Sequence, residues 1–240
     1  MTWSIVARDP TGALGIAIAS RFFAVGVLCP HARSNVGALS TQALVNPLYG
    51  GRGLDLLAER VPPYDVVRRL TEADGGRDHR QVHVVDALGR TAACTGARCI
   101  EWCGHRQGEG YSVAGNMLVG SEVISETARA YDAHPDLPFA ERLLTALDAG
   151  DAAGGDKRGR QAAALIVYTT EEYPALSLRV DDSPQPFSEL RRLYDKSFER
   201  YQPFVSCLPS RARPDGITDR DQIEREIERF TAARAISRRT

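Results

Sequence analysis

The chain of 240 residues predicts an α+β fold, in which strands and helices occupy separate layers. Three observations predict it. The stretches TWSIVAR and ALGIAIA are separated by a turn-forming Asp-Pro-Thr-Gly, which is typical of a β-hairpin. The GIAIA strand is apolar on both faces, as expected for a strand that is covered on each side. Strand patterns return after a helical segment, near residues 161–180, which favours antiparallel layers over alternating βαβ units.

The periodicity of apolar residues and the positions of Gly, Pro and Asp define the elements in order. Strands are predicted over residues 2–8, 13–19, 35–42, 80–86, 90–96, 110–118, 161–168 and 175–180. Helices are predicted over residues 50–60, 63–73, 121–133, 138–147, 187–200 and 218–233. The composition changes after residue 202, where prolines and a glycine interrupt the pattern before a charged helix. We therefore predict one domain over residues 1–202 and a C-terminal extension over residues 203–240.

Composition excludes several classes of protein. The chain is 43% hydrophobic and 25% charged with a formal net charge of -1, which is typical of a soluble globular protein and favours neither nucleic acid nor a membrane surface as a partner. No apolar run approaches the roughly eighteen residues of a bilayer span, and no secretory signal pattern is present. Five cysteines, an odd number, fit a reducing compartment better than a disulfide framework. We expect a cytoplasmic protein.

Thr2 directly follows Met1 at the start of the predicted hairpin. A small residue in this position permits removal of the initiator methionine, which would leave threonine with a free α-amine. The pKa of an α-amine is about 7.7 to 8.0, so part of it is unprotonated at neutral pH and can take the proton of the neighbouring hydroxyl. Thr2 is therefore either a nucleophile that carries its own base or an ordinary second residue.

The loop GGDKRGRQ, residues 154–161, combines three glycines, an acid, three bases and an amide ahead of an apolar strand. Backbone N–H groups and arginine forks in such a loop can bind a carboxylate or phosphate. The spacing is not that of a P-loop. The loop is equally compatible with a solvated turn that contains an ion pair between Asp156 and Arg158. Its candidate substrate-binding residues are Asp156, Lys157, Arg158, Arg160 and Gln161.

A second polar connection, TQALVNPLYGGRG over residues 41–53, joins a predicted strand to a predicted helix. Gln42, Asn46 and Tyr49 can donate hydrogen bonds to a developing oxyanion, or they can cap a turn. His31, farther upstream, is a further candidate for substrate binding.

Cys94, Cys99, Cys103 and His105 lie close together in the sequence, but their spacing is not that of a zinc finger or ribbon. A metal-dependent protein that uses Cys99, Cys103 and His105 remains one hypothesis. Free buried cysteine is the commoner fate of such residues. We predict no metal and no cofactor.

Four sequence blocks, taken together, indicate a family. They are MTWSIVARDPTGALGIAIASRFFAVG, PHARSNVGALSTQALVNPLYGGRGLDLL, GEGYSVAGNML and GGDKRGRQAAAL. These blocks resemble the DUF1028 family, a bacterial and archaeal family of unknown function that is assigned to the N-terminal-nucleophile (Ntn) hydrolase superfamily. The resemblance extends from Met1 to about Tyr201. It implies a four-layer αββα sandwich, two antiparallel sheets face to face with helices outside.

The superfamily places its nucleophile directly after the initiator methionine, which here is Thr2. The resemblance implies this type of mechanism and leaves the substrate open. Our leading hypothesis is an amidohydrolase that cleaves a small, anionic amide or ureido compound. Asn46 or Asn116 would stabilise the oxyanion, and Arg21, where the family often has lysine, would lower the pKa of the amine by charge repulsion. The basic residues of the loop 154–161 would hold the substrate carboxylate.

A second function class is open on the same fold: a non-catalytic small-molecule binding or assembly module that retains Met1. Sandwiches of this type commonly pair through outer helices or edge strands, so we expect a homodimer or higher homo-oligomer. The other expected partner is a small-molecule substrate.

Overall fold

The computed structural model describes residues 2–237, which form ten strands and eight α-helices. The strands are β1 (Thr2–Arg8), β2 (Leu14–Ser20), β3 (Pro30–Arg33), β4 (Gly37–Ala43), β5 (Arg80–Asp86), β6 (Thr91–Thr95), β7 (Trp102–Gly108), β8 (Tyr111–Leu118), β9 (Ala162–Tyr168) and β10 (Leu176–Val180). The helices are α1 (Val25–Leu28), α2 (Leu48–Ala58), α3 (Pro63–Glu72), α4 (Glu122–Ala133), α5 (Phe139–Ala152), α6 (Pro186–Ser197), α7 (Tyr201–Val205) and α8 (Arg220–Ser237). The expected removal of Met1 concerns a residue outside this range.

The described strands form two antiparallel sheets. The first has six strands in the order β10-β9-β2-β1-β8-β7, and the second has four in the order β3-β4-β5-β6. The first hairpin forms where the sequence predicts it. The Asp9 carboxylate accepts a hydrogen bond from the Ala13 backbone N–H at 2.8 Å, and Gly12 adopts a φ of 95°, which favours glycine.

The elements stack in four layers. Helices α4 and α5 pack on the six-stranded sheet, and α2 and α3 pack on the four-stranded sheet. The two sheets face each other through β1, β2 and β8 on one side and β4 and β5 on the other. This arrangement confirms the predicted αββα sandwich.

Side chains alternate between the two faces of each strand, and this alternation explains how one strand contacts a helix layer and the other sheet at once. In β5, Val82 and Val84 belong to the apolar cluster shared with α2 and α3, whereas Gln81, His83 and Val85 lie on the opposite face, toward the other sheet. Helix α3 begins with Pro63, which suits the first turn, and buries Val66 and Leu70 at helical spacing.

Four elements, β3, β7, α1 and α7, were not predicted from the sequence. Strand β7 is partly exposed and carries polar residues, so its sequence lacks an apolar run, and it forms by pairing with β8 at the edge of the sheet. Strand β3 and helix α1 have only four residues each and helix α7 has five, too few for a periodic signal.

The chain divides into two compact units between Leu190 and Arg191, which lies upstream of the 202/203 boundary suggested by composition. In the second unit, Phe198 and Phe230 stack with ring centroids 6.4 Å apart, and Arg200 pairs with Glu224 on α8. Within residues 2–237, no helix combines the length and apolar character that crossing a bilayer requires.

Candidate functional site

The antiparallel register brings Thr2, Ser20 and Asn116 together at one end of the neighbouring strands β1, β2 and β8. Thr2 pairs with Asn116 of β8, and Trp3 pairs with Ala19 of β2, so that Ser20 lies beside Thr2. Thr2 is only 5% exposed, and its hydroxyl donates to Ser20 Oγ at 3.1 Å. The hydroxyl therefore has a defined direction at the start of the central strand β1.

The carbonyl oxygen of Thr2 accepts one hydrogen bond from its own sheet and one from the opposite sheet. Asn116 Nδ2 donates to it at 3.4 Å and Gln42 Nε2 at 3.5 Å. Both distances are long, so these hydrogen bonds are weak. The same two amides donate to Gln81 Oε1 at 3.1 and 2.8 Å, which are the stronger contacts. Thr2 thus sits on a buried group of three side-chain amides.

The orientation of these amides is fixed by Gln81. Its Nε2 donates to the backbone oxygens of Gly104 at 3.0 Å and Gly115 at 2.8 Å. A backbone oxygen accepts hydrogen bonds only, so Nε2 must face the two carbonyls and Oε1 must face Gln42 and Asn116. Both of those side chains must then present an N–H group to Gln81.

The same logic extends across the sandwich to His83. Gln42 Oε1 accepts from Ser4 Oγ at 2.7 Å, so the Ser4 oxygen accepts in turn from His83 Nε2–H at 2.8 Å. His83 Nδ1 then accepts from Ser112 Oγ at 3.2 Å. Burial, with a smaller effect of the His105 charge, lowers the pKa of His83 to about 3. His83 is therefore neutral and protonated on Nε2.

Two non-glycine residues in the left-handed region lie next to these amides. Ala43 follows Gln42 with φ of 69°, and Met117 follows Asn116 with φ of 54°. Such conformations are uncommon outside glycine and persist only where surrounding contacts impose them. Both residues line a pocket of ≈ 280 Å³. Its wall consists of Ala43, Leu44, His79, Arg98, Cys99, Ile100, Asn116 and Met117.

The loop 154–161 lies at the same end of these strands, where Asp156 forms a backbone bridge with Leu118 at the end of β8. The Asp156 carboxylate is buried and accepts from the backbone N–H groups of Arg21 and Arg158, each at 2.8 Å. It also pairs with the Arg158 guanidinium at 3.5 Å. Asp156 therefore fastens the loop to the end of β2, and the ion pair considered from the sequence is present.

The other polar side chains of this loop also have protein partners. Lys157 pairs with Glu101 at 3.1 Å, and Arg160 pairs with Asp151 at 2.7 Å. Gln161 donates to Asp182 at 3.0 Å. The cations expected to bind a substrate carboxylate are thus already neutralised by neighbouring acids.

Arg21 follows Ser20 and lines a second pocket of ≈ 410 Å³ with Asp156 and Arg160. Its guanidinium donates to the Arg160 backbone oxygen at 3.0 Å. Within the described residues, no acidic side chain pairs with it. Arg21 therefore contributes positive charge near the Thr2 end of the strands.

Asn46 and Tyr49 converge on Asp74 and share no hydrogen bond with Thr2 among the described residues. Asn46 Nδ2 and Tyr49 Oη donate to Asp74 Oδ2 at 3.0 and 2.9 Å, and Arg80 donates to the same oxygen at 3.1 Å. Burial alone would raise the pKa of the Asp74 carboxyl, but these donors and the Gly76 N–H hold it far below its usual range. Burial and the contact with Asp74 raise the pKa of Tyr49.

His31 packs against Gly50 of α2, and its Nε2 lies 3.2 Å from the Leu28 backbone oxygen. Burial lowers its pKa. His31 belongs to β3, and its contact with Gly50 places its ring in the interface between β3 and α2.

The cysteine segment does not assemble a ligand set in the described residues, where no group of three or more His, Cys, Asp or Glu side chains is placed to hold a metal ion. Cys103 Sγ donates to the Cys99 backbone oxygen at 3.6 Å, and Cys99 Sγ donates to the Arg80 oxygen at 3.4 Å. His105 Nδ1 lies 2.9 Å from Thr95 Oγ1. Burial is the main cause that raises the pKa of Cys99 to about 11, so the thiol form is favoured.

Sequence reasoning missed most of the polar group between the sheets. The residues it missed there are Ser4, Ser20, Ser40, Gln81, His83 and Ser112, and it also missed Arg98 in the wall of the pocket. All but Ser20 and Arg98 alternate with apolar residues within strands, a pattern that usually indicates a solvent-facing side. Here that side faces the other sheet.

Comparison with known proteins agrees with this architecture. A family model described as "Family of unknown function (DUF1028)" matches residues 2–190. The chain belongs to the DUF1028 family. The crystal structure of protein SPO2555 from Silicibacter pomeroyi, a DUF1028 protein, superimposes with a TM-score of 0.85 at 33% sequence identity, covering 91% of this chain and 96% of that chain.

Anbu (ancestral beta-subunit) from Yersinia bercovieri aligns with a TM-score of 0.40 at 14% identity, covering 81% of this chain and 94% of that chain. No curated protein matches the chain. The family assignment therefore rests on the family model and on the crystal structure of SPO2555, and both confirm the resemblance noted in the sequence.

Proposed function

We propose that this protein is an amidohydrolase that cleaves a small amide or ureido compound, with Thr2 as its N-terminal nucleophile after removal of Met1. The observation that carries the proposal is the position of Thr2. Its hydroxyl is buried, directed by Ser20 and adjacent to a fixed group of amides that borders a pocket. Pre-oriented polar groups of this kind are what acyl transfer requires.

In the proposed reaction, Thr2 Oγ attacks the substrate carbonyl carbon while the α-amine of the same residue takes the hydroxyl proton. The C–N bond then breaks, the proton passes to the leaving nitrogen, and an ester on Thr2 remains. Water, deprotonated by the same amine, hydrolyses the ester and regenerates the hydroxyl. Arg21 adds positive charge near the amine and so favours its unprotonated form.

Asn116 supplies the proposed donor to the oxyanion. One of its N–H groups is committed to Gln81 at 3.1 Å, whereas the other makes only a weak contact with the Thr2 oxygen at 3.4 Å. The weakly bound N–H can turn to a negatively charged oxygen, because charge-assisted hydrogen bonds are stronger than neutral ones. Asn46 is less suited to this role because its amide donates to the Asp74 carboxylate.

The test compares the wild-type protein with Thr2→Ala and Thr2→Ser on a panel of N-acyl amino acids, lactams and ureido acids. We expect Thr2→Ala to lose turnover completely and Thr2→Ser to retain part of it, since serine keeps the hydroxyl. Thr11→Ala removes an exposed hydroxyl that donates to Asp9 in the first hairpin turn, and it should leave turnover unchanged.

Intact-mass measurement of the active protein supplies the second readout, with a mass that lacks Met1 as the expected result. Turnover that survives Thr2→Ala, or active protein that retains Met1, would contradict the mechanism. A retained Met1 together with ligand-induced thermal stabilisation and no turnover would instead favour the non-catalytic binding module.

A further inference from the structure

The pocket beside Asn116 is lined by a cation, Arg98, whose guanidinium has no partner among the residues that the structure describes. We infer that Arg98 binds the carboxylate of the substrate and that the apolar wall of this pocket holds the substrate's side chain. This inference rests on the proposed function, because it assigns the specificity of the same site.

The wall of the pocket is largely apolar. Leu44 is 63% exposed and Ile100 is 58% exposed, and both lie beside Met117. Exposed apolar side chains that converge on one concave site favour an apolar ligand group. The volume of ≈ 280 Å³ suits a small molecule.

The backbone that carries Arg98 is held in place, while its side chain is not. The Arg98 backbone N–H donates to the Asp78 oxygen at 2.7 Å, and a Cβ at Gly96 would collide with the oxygens of Arg77 and Asp78, so the turn lies close against that segment. Within the described residues, the Arg98 guanidinium forms no hydrogen bond or ion pair. A fixed backbone with an uncommitted guanidinium is suited to bidentate binding of a carboxylate.

The remaining cations at this end of the strands are less available. Lys157, Arg158 and Arg160 each pair with an acid. Glu101, the acid nearest to Arg98 in the sequence, pairs with Lys157. A carboxylate that approached the loop 154–161 would have to displace these partners. Arg98 is therefore the better carboxylate anchor.

The site then selects a small N-acyl or N-carbamoyl derivative of an apolar amino acid. The scissile carbonyl would lie at Thr2, the oxyanion at Asn116, the apolar side chain against Leu44 and Ile100, and the carboxylate at Arg98. His79, whose ring has no hydrogen-bond partner among the described residues, is a second polar side chain of the same wall.

Binding is measured by isothermal titration calorimetry in the Thr2→Ala background, so that no turnover is needed. The probes are N-acetyl-L-leucine and N-carbamoyl-L-leucine, with N-acetyl-L-leucinamide as the neutral isostere. We expect the carboxylates to bind at least about tenfold more tightly than the amide, and Arg98→Gln to abolish this preference. Arg98→Lys should retain part of it, and the control Arg160→Gln should retain all of it, because Arg160 pairs with Asp151 and leaves the Lys157–Glu101 pair intact.

Equal affinity of the carboxylate and amide probes, including no binding by either, would overturn the inference. So would an Arg98→Gln variant that keeps the preference, or loss of the preference in Arg160→Gln. Thermal unfolding of Arg98→Gln should match the parent protein because the guanidinium has no described partner. Selective carboxylate binding that Arg98→Gln removes, in a protein without turnover, would support this inference while contradicting the proposed hydrolysis.

Discussion

Individual residues between the sheets are constrained by the direction of their hydrogen bonds. The Gly104 and Gly115 carbonyls orient Gln81, which orients Gln42 and Asn116, and Gln42 in turn sets the proton position on His83 through Ser4. Buried polar networks stabilise a fold when every member is satisfied and are costly when one is lost. The amides around Thr2 therefore hold one arrangement.

His83 gives a prediction for the dependence of stability on pH. Its pKa in the folded protein is about 3, whereas an unfolded histidine titrates near 6.5. Between these values the unfolded chain binds a proton that the folded chain does not, so the free energy of unfolding falls as pH falls below about 6.5. Urea unfolding between about pH 5 and pH 6 should show this slope, about 1.4 kcal/mol per pH unit for one proton.

His83→Gln is the control, because His31 and His105 also have lowered pKa values and contribute a slope of the same sign. The variant should have a smaller slope than the wild type. Nitrogen NMR of the wild type at pH 5 should show a neutral His83 ring protonated on Nε2. Equal slopes, or a charged ring at that pH, would contradict the assignment.

Replacement of Gln81 by leucine tests the importance of the central amide. Gln81→Leu removes one hydrogen-bond partner from each of the Gly104 and Gly115 oxygens and from the amides of Gln42 and Asn116, all of them between the sheets, so we expect destabilisation by about 3 kcal/mol or more. Gln107→Leu, on the exposed part of β7, should change the free energy of unfolding by about 0.5 kcal/mol or less. Chemical denaturation measures both, and similar values would contradict a special role for Gln81.

At the scale of elements, α2 contains two adjacent glycines in different surroundings. A Cβ at Gly50 would collide with the ring of His31, whereas a Cβ at Gly51 would meet no atom within 4 Å. Glycine inside a helix is less favourable than alanine by about 1 kcal/mol. The close approach of α2 to β3 thus explains Gly50, and Gly51 has no such constraint.

These glycines predict opposite effects of the same substitution. Gly51→Ala should stabilise the protein by about 0.5 to 1 kcal/mol through helix propensity. Gly50→Ala should destabilise it by about 1 to 3 kcal/mol, because His31 has to move. Thermal or urea unfolding measures the difference. A stabilising Gly50→Ala would show that His31 can shift at little cost.

At the scale of the whole molecule, the space between the sheets has two chemically different ends. Along the inward face of β1, Thr2 and Ser4 belong to the polar group, whereas Val6 joins an apolar cluster with Ile16 and Val85. The apolar end stabilises the sandwich by burial. The polar end can therefore hold the candidate site without loss of the fold.

The first compact unit should fold without the C-terminal extension. A chain that ends at Arg200 keeps α6, on which Phe187 stacks against Trp3 at 5.8 Å and Leu190 is buried. The chain that ends at Arg200 should unfold cooperatively, and its circular dichroism should show the helices and strands that it retains. A chain that ends at Pro184 lacks those contacts and should be less stable by about 3 to 5 kcal/mol or more. Failure of the longer chain to fold would contradict the division near Leu190.

Much of the fold could be predicted because its signals are local. The first hairpin, the helices α2 to α5 and the strands β5, β8 and β9 follow from periodicity and turn residues within short windows. The candidate site was predicted only in part. Gln42 and Asn116 do contact Thr2, whereas Asn46 and Tyr49 bind Asp74, because a polar side chain in a loop can turn to any partner that the fold brings near.

The sequence by itself determined the layered fold class, the family and the position of a threonine that can act as a nucleophile, since these depend on local pattern and on motif blocks. Only the tertiary structure decided that Thr2 pairs with Asn116 and that Gln81 orients the amides. It also decided that Arg98 lacks a partner within residues 2–237 while the loop cations pair with acids. The physical reason is that hydrogen bonds and ion pairs act over a few ångströms. Their partners lie far apart in the chain and meet only when the strands pair in register.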